Sequence, residues 1–450
     1  MKKHLTMLAI LASGLLLTAC PPEANNAGGG NAPANTTANN NPPEDNPPAF
    51  DHGKARDEMV AKAWDFLKTM YDKPAAPDDR AGIKSGWGPK SMNVPYTGMV
   101  LQGLVGTRAW DPANDMIKAS MDWLVQSQEP TGSWSYMPGI EQVKGLRAVY
   151  ITAICAQLFA EVNKLDGPWK GKLNNEIAKA RDYLKQSQVG QADGPAPDYD
   201  KTKAGFGGWA YSKEEIGKSV GEQGKPPANM STSAFAIDAL KACGLSESDP
   251  LWQDALTFLK RNQNAGEVQD EGFEAIDKAT GKKIKMAGKD SPDYGGAIYS
   301  EETSMATGAT ENADGTVTLF SYGSMTYNLL RAYLFAGLKK DSVPVKLAFG
   351  WVQRNYTMER VPGFRDEKQY EMGLYYYYMS VGKTLNAFGE ATIEEADRGL
   401  KHNWREDLTK ALQKRQKADG SWLNDKHDRW QENSPVLCTA YALEALRNTK

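Results

Sequence analysis

Three carboxylates stand close to a pair of glycines in the second half of the chain. Asp293 precedes Gly295-Gly296, and Glu301 and Glu302 follow the pair by a few residues. A carboxyl group transfers protons near neutral pH when burial or a like-charged neighbour raises its pKa. We therefore take Asp293 and Glu302 as candidate catalytic residues. The alternative is an acidic loop that is exposed to solvent and does no chemistry.

Tyrosines offer a second kind of chemistry. Several occur near the starts of apolar helical segments, and Tyr375 to Tyr378 form a run of four. Four consecutive helical residues span about 300°, so such a run must point in several directions and at least one member must face inward. Aromatic faces hold an isoprenoid chain, stabilise a cation or stack on a sugar ring. The candidate ligand-binding residues are Tyr299, Tyr322, Tyr327, Tyr376 and Tyr377. The alternative is that these rings fill a wide core.

Histidine and cysteine are too few and too scattered to predict a metal centre. The histidines beyond residue 20 are His52, His402 and His427, none of which lies on an apolar helical pattern. A catalytic zinc needs three protein ligands. The cysteines beyond residue 20 are Cys155, Cys243 and Cys438, an odd set that does not suggest a disulfide framework. We expect buried, unreactive thiols, no metal and no cofactor.

The amino terminus carries a targeting signal. Lys2 and Lys3 precede the apolar stretch Leu5 to Leu17, which is too short to span a bilayer and is typical of a secretory signal. It ends in Leu17-Thr18-Ala19-Cys20, which resembles the bacterial lipobox. That resemblance implies a diacylglycerol thioether on Cys20, cleavage before it and an acylated new amino terminus. An ordinary signal peptide with an incidental cysteine is the alternative.

Composition divides the chain into three parts. We predict a lipoprotein signal peptide over residues 1–19, a disordered linker rich in Pro, Asn, Ala and Gly over 20–50, and one domain over 51–450. The linker has almost nothing apolar to bury and is expected to act as a tether. The predicted location is the cell envelope, with the protein held on a membrane by its lipid. Lys plus Arg total 53 against 56 for Asp plus Glu, so no basic field suggests a nucleic acid partner.

The elements that must position the candidate residues recur along the chain. Six segments share an aromatic-Leu pair that ends a helix, often followed by Ser-Gln or Asn-Gln, then a Gly-aromatic loop, then a helix of small residues. The second unit reads Trp123-Leu124, Ser127-Gln128, Gly132-Ser133-Trp134 and Thr152-Ala153. Helical hairpins of this kind cannot bury their apolar faces alone and must stack on their neighbours. We predict an all-α fold, an α/α toroid of about six hairpins with the small-residue helices inside.

Two of these units carry a family resemblance. Gln128 to Gly132-Ser133-Trp134, and Gln416 to Gly420-Ser421-Trp422, resemble the QW repeat of squalene and oxidosqualene cyclases. Ser321 to Tyr327 and Gly373 to Tyr378 are similar to segments of bacterial terpenoid-cyclase and prenyltransferase-repeat proteins. The resemblance covers about residues 55–450. It implies the toroid, and it implies that the glutamine amide and the indole serve the helix ends.

The chemical motifs of those families are missing. The acidic Asp-x-Asp-Asp motif with which squalene–hopene cyclases protonate an alkene has no counterpart here. Prenyltransferase β subunits bind zinc through Asp-x-Cys, but the residue two before Cys438 is Val436. The fold resemblance therefore does not carry the activity with it.

Three functions remain open. The first is a binding module whose central funnel holds an apolar ligand, a glycan or a protein partner. The second is an enzyme on an isoprenoid-like lipid that uses Glu302 or Asp293 as its acid. The third is a polysaccharide lyase or hydrolase, which would need two carboxylates about 5 to 10 Å apart across a cleft. A closed aromatic pocket would favour lipid, whereas an open groove with opposed acids would favour sugar.

Overall fold

The computed structural model describes residues 50–71, 86–88, 93–136, 145–216, 227–395 and 397–450. Phe50–Lys450 form a unit of their own. The predicted signal peptide, Cys20 and residues 20–49 of the predicted linker lie outside the described residues.

Helices of two kinds alternate along the chain. The outer helices are α1 (His52–Thr69), α3 (Asp115–Gln126), α5 (Asn174–Gln186), α7 (Leu251–Arg261), α9 (Val343–Arg354) and α11 (Trp404–Arg415). The inner helices are α2 (Asn93–Leu104), α4 (Ala148–Val162), α6 (Met230–Ala242), α8 (Gly323–Phe335), α10 (Leu374–Phe388) and α12 (Pro435–Arg447). Helix α5 buries only 3 of its 13 residues, whereas all 12 residues of α2 are buried. The first pattern belongs to a helix with one apolar face, and the second to a helix that is surrounded. None of the helices in the described ranges combines the length and the apolarity needed to span a bilayer.

The inner helices form a closed ring. Each packs against the inner helix before it and the one after it, and α12 packs against α2. The outer helices α1 and α11 also meet at this junction. Closure leaves no hairpin with an uncovered apolar end. The predicted α/α toroid of six hairpins is therefore confirmed.

The glutamine of the repeat joins one hairpin to the next. The Gln128 amide nitrogen donates to the Gly132 carbonyl at 3.0 Å and to the Glu176 carbonyl, in the first turn of α5, at 2.9 Å. Gln188 and Gln263 make the same pair of hydrogen bonds in the next two units. Each glutamine thus holds its own loop against the first turn of the outer helix that follows.

The same bonds close the ring. The Gln416 amide nitrogen donates to the Gly420 carbonyl at 2.9 Å and to the Met59 carbonyl at 3.0 Å. Met59 belongs to α1, so the last hairpin is joined to the first by the device that joins the others. The repeated glutamine of the sequence therefore corresponds to a repeated pair of hydrogen bonds around the ring.

The loop tryptophan is held between the two helices of its own hairpin. The Trp134 indole N–H donates to the Leu124 carbonyl in α3 at 2.8 Å, and its backbone N–H donates to Thr152 Oγ1 in α4 at 3.0 Å. The other tryptophans that make this pair of bonds are Trp87, Trp209 and Trp422. The hydroxyl residues of the inner helices therefore accept the backbone N–H of the loop.

Strands in the described ranges form two short antiparallel hairpins. They are β1 (Ala309–Glu311) with β2 (Val317–Leu319), and β3 (Ile393–Glu395) with β4 (Leu400–His402). The first hairpin belongs to the long insertion between α7 and α8, which opens with a 3₁₀ turn at Gly266–Val268. The insertion has a small apolar core of its own, made of Ala275, Ile284, Ile298, Val317 and Leu319.

Candidate functional site

A cavity of about 430 Å³ opens where the amino-terminal ends of the inner helices meet. Each inner helix contributes a residue from its first turns: Tyr96, Tyr150, Ser231, Ser324, Tyr376 and Leu437. The cavity therefore lies inside the ring, reached from one end. Its volume falls within the range of small-molecule sites.

Aromatic rings make up much of the cavity wall. They are Tyr96, Tyr136, Tyr150, Tyr211, Tyr299, Tyr322, Tyr376, Tyr441 and Trp430. The Tyr211 and Tyr299 hydroxyls are hydrogen-bonded to each other at 3.0 Å, and the Tyr376 hydroxyl lies 3.0 Å from Ser231 Oγ. These bonds hold the rings in place, so the wall is both apolar and ordered.

Three of the five tyrosines expected at a binding site come together in this wall. They are Tyr299 from the insertion, Tyr322 just before α8 and Tyr376 in the first turn of α10. The other two, Tyr327 and Tyr377, lie outside the lining. Their rings meet edge to face at 5.7 Å, and the Tyr377 hydroxyl donates to the Thr357 carbonyl at 2.8 Å. They fill the core, which is the alternative that the sequence had left open.

Five lining tyrosines were among neither the candidates nor the four-residue run, although the repeat marks two of them. Tyr136 and Tyr211 each follow their loop tryptophan by two residues, and Tyr299 stands at the equivalent place after Ala297. That repeat position turns toward the axis. The other three, Tyr96, Tyr150 and Tyr441, lie in inner helices.

The backbone of the cavity wall is strained. Among the described residues, the non-glycine residues with positive φ are Arg147 at 52°, Trp430 at 56° and Gln431 at 66°, and all of them line the cavity. Such conformations cost about 1–3 kcal/mol each and concentrate at functional sites. The Tyr96 hydroxyl holds this stretch by donating to Gln431 Oε1 at 2.9 Å.

Glu432 is a buried carboxylate at the edge of the cavity whose oxygens are already engaged. Oε1 accepts the backbone N–H of Tyr376 at 2.9 Å, and Oε2 accepts the Asn424 side-chain amide at 2.8 Å. The carboxylate therefore caps the start of α10. Burial raises the pKa of Glu432 to about 7. We assign it a structural role.

The two candidate catalytic acids do not line the cavity. Asp293 is buried, accepts the Ser321 backbone N–H at 2.9 Å and forms an ion pair with Arg365 at 2.9 Å. Burial raises the pKa of Asp293 in spite of that arginine. Glu302 is half-buried and pairs with Lys278 at 3.2 Å. Their catalytic roles stay a prediction.

The neighbour of Glu302 has the environment that the sequence suggested for the pair. Glu301 is fully buried, and one of its oxygens accepts the Gly205 backbone N–H at 2.9 Å. Its other oxygen has no hydrogen-bond partner among the described residues. Burial raises the pKa of Glu301 to about 7. The alternative of an acidic loop exposed to solvent is therefore wrong for Glu301.

A network of buried charges lies deeper in the ring, beneath the cavity. Arg331 of α8 and Lys383 of α10 pair with Asp238 of α6 at 2.8 and 2.9 Å. Burial alone would raise the pKa of Asp238, but the two cations hold it below its usual value. The network continues through Glu444 to Arg447, at 3.0 Å. Four inner helices, with Arg447 at the end of α12, thus share one set of ion pairs.

The described part of the chain contains neither a cluster of metal ligands nor an exposed thiol. No group of three or more His, Cys, Asp and Glu side chains there is arranged to hold a metal ion. Cys155, Cys243 and Cys438 are free and buried, and burial raises the pKa of each thiol. A thiol that resists ionisation is a poor nucleophile.

Comparison with known proteins finds likeness in structure only. No family model and no curated protein matches the chain. The type II terpene cyclase MstE from Scytonema matches with 13% identity and a TM-score of 0.43, over 88% of this chain and 98% of the cyclase. A family 76 glycoside hydrolase from a bovine Bacteroides thetaiotaomicron strain matches with 10% identity and a TM-score of 0.46, over 88% of this chain and 78% of the hydrolase. Neither protein's activity is carried over to this chain on such a likeness.

Proposed function

We propose that this chain is a lipid-anchored binding protein of the bacterial envelope, whose ring holds a compact ligand with an apolar or aromatic face. The observation that carries the proposal is the cavity of about 430 Å³ at the ring axis, walled by eight tyrosines and a tryptophan. Aromatic walls of this kind favour flat, apolar surfaces, including the faces of sugar rings.

The state of the carboxylates favours binding over catalysis. Glycoside hydrolysis needs two acids that flank the bond. Two carboxylates line the cavity, Asp428 and Glu432, and Glu432 already accepts hydrogen bonds from the start of α10 and from Asn424, so Asp428 has no free second acid beside it. Asp293 and Glu302 are paired with Arg365 and Lys278 away from the wall. An enzyme on an isoprenoid-like lipid and a polysaccharide enzyme therefore receive no comparable support.

Binding is tested with N-phenylnaphthylamine, a neutral dye that fluoresces in apolar sites. Met305 lines the cavity from a loop, so Met305→Trp should narrow it and weaken dye binding about tenfold. Ile276→Trp is the matched control, because Ile276 is 49% exposed and does not line the cavity. Equal binding by the two variants would contradict the proposal.

Anchoring is tested separately by cell fractionation. The motif Leu17-Thr18-Ala19-Cys20 supports a lipid on Cys20, and each buried methylene of an acyl chain contributes about 0.8 kcal/mol to membrane binding. Cys20→Ala should move the protein from the membrane to the soluble fraction. Cys243→Ala removes a buried thiol instead and should leave the distribution unchanged. Membrane retention of Cys20→Ala would refute the anchor.

A further inference from the structure

The cavity wall includes an arginine and two hydroxyls that have no hydrogen-bond partner among the described residues. Arg147 lines the cavity. Its guanidinium stacks on the Tyr211 ring at 4.6 Å and forms no ion pair or hydrogen bond with any described residue. An arginine has five N–H donors and no acceptor. The groups that satisfy it best are carboxylates, sulfates and phosphates.

The backbone holds this arginine at the mouth of α4 against its own preference. Arg147 is the residue that precedes α4, and its φ of 52° lies in the left-handed region that favours glycine. Its carbonyl accepts the Ile151 backbone N–H at 3.0 Å, as the residue before a helix does, while its guanidinium takes no part in capping because it has no acceptor. Strain of this kind is retained where it places a side chain for use.

A second unused donor points into the same cavity. Tyr322 is 3% exposed and lines the cavity, yet its hydroxyl has no hydrogen-bond partner among the described residues. The Ser324 hydroxyl, at the start of α8, is in the same situation. A buried tyrosine usually finds a partner for its hydroxyl. Both hydroxyls are therefore available to a ligand in the cavity.

The carboxylates that line the cavity form no ion pair with Arg147. The oxygens of Glu432 accept from α10 and from Asn424. Asp428 also lines the cavity, but no ion pair joins it to Arg147 in the described residues. Burial alone would lower the pKa of Arg147, but the surrounding tyrosines and the carboxylate of Glu215, which does not line the cavity, raise it. Arg147 is exposed and keeps its guanidinium accessible to a ligand in the cavity.

We infer that the Arg147 side of the cavity is a subsite for an anionic oxygen group, so that the ligand is amphipathic, with an acidic head at Arg147 and an apolar body against the tyrosines. This inference rests on the proposed binding function and adds the chemical class of the ligand. A carboxylate, a sulfonate and a phosphate all present anionic oxygens that can accept hydrogen bonds from Arg147.

Two dyes with one skeleton test it. Anilinonaphthalene sulfonate carries the anionic group, and N-phenylnaphthylamine lacks it. The purified protein should bind the sulfonate at least about tenfold more tightly, because a charge-assisted hydrogen bond is worth that factor or more. Arg147→Gln should abolish this preference, so that the ratio of the two affinities, measured in the same variant, falls to about one. Arg147→Lys should keep part of it, since it keeps the charge but loses the planar fork.

The outcomes separate the two proposals. Equal affinity of the wild type for both dyes would overturn the anionic subsite, and so would an equal loss of both dyes in Arg147→Gln, which would mean that the substitution had only damaged the fold. If neither dye binds the wild type, the binding function fails first. Tyr322→Phe removes one hydroxyl and should lower the preference for the sulfonate over the neutral dye by a few fold.

Discussion

Replacing Glu301 by glutamine should stabilise the protein at alkaline pH and leave it almost unchanged in acid. Glu301 has no exposed surface, and one oxygen accepts the Gly205 N–H at 2.9 Å. Glutamine keeps that acceptor and the shape of the side chain, but it never ionises. The substitution therefore removes one charge from the interior and little else.

The magnitude follows from the pKa. Burial raises the pKa of Glu301 from its ordinary 4.5 to about 7. Below pH 4.5 both the folded and the unfolded chain are protonated at this residue, so it contributes no penalty. Between pH 4.5 and 7 the unfolded chain loses the proton and the folded chain keeps it, so stability falls by about 1.4 kcal/mol per pH unit. Above pH 7 the accumulated penalty is about 3 kcal/mol.

Urea denaturation of both proteins at pH 5 and pH 8.5 measures this difference. The free energy of unfolding of Glu301→Gln should exceed that of the wild type by about 3 kcal/mol at pH 8.5 and by less than about 1 kcal/mol at pH 5. Glu302→Gln is the control, because its half-exposed ion pair with Lys278 is worth about 0–1 kcal/mol. A difference that is the same at both pH values, or larger for Glu302→Gln, would refute the reasoning.

Two further predictions concern the ring. Gln416→Ala removes the two hydrogen bonds that hold the last hairpin to the first and should lower the free energy of unfolding by about 2 kcal/mol. Gln128→Ala, between two internal hairpins, should lower it by the same amount. If urea denaturation shows no change for Gln416→Ala, the ring junction adds no stability. Lys383→Met takes a cation from buried Asp238 and should cost about 3 to 5 kcal/mol, whereas Lys282→Met, which breaks an exposed pair, should change the unfolding midpoint little.

The sequence was sufficient for the fold because the repeat is made of contacts that are local in the chain. Gln128 lies four residues before the carbonyl of Gly132, and Trp134 lies ten residues after Leu124. Each unit thus shows its own hairpin directly. Closure of the ring was predicted because an open arc would leave the apolar faces of its end hairpins uncovered, and no sequence motif indicated it. In the structure, the hydrogen bond from Gln416 to Met59 joins the last hairpin to the first.

The site was predicted only in part, since it depends on the directions in which side chains point, and residue types alone do not give those directions. In the run Tyr375 to Tyr378, only Tyr376 reaches the cavity, and the phase of α10 that selects it is set by packing across the ring. Glu301 is fully buried whereas the adjacent Glu302 is only half-buried, a difference that two neighbouring glutamates in a sequence do not reveal. Arg147 carries no sequence signal at all, because its left-handed backbone is visible only in the structure.

The buried charges beneath the cavity determine how its polar groups are oriented. Arg331 can only donate, so the Asn328 oxygen, 3.2 Å from it, must accept. The Asn328 amide nitrogen is then the donor to the Tyr376 hydroxyl at 2.9 Å. The Tyr376 hydroxyl and Ser231 Oγ lie 3.0 Å apart and either can donate to the other, so one hydroxyl hydrogen of the pair stays available to the cavity that both residues line. A cation in the ring interior therefore turns a chain of neutral groups into one more donor facing the ligand, which suits an acceptor-rich head group and gives the costly ion pairs a role beyond stability.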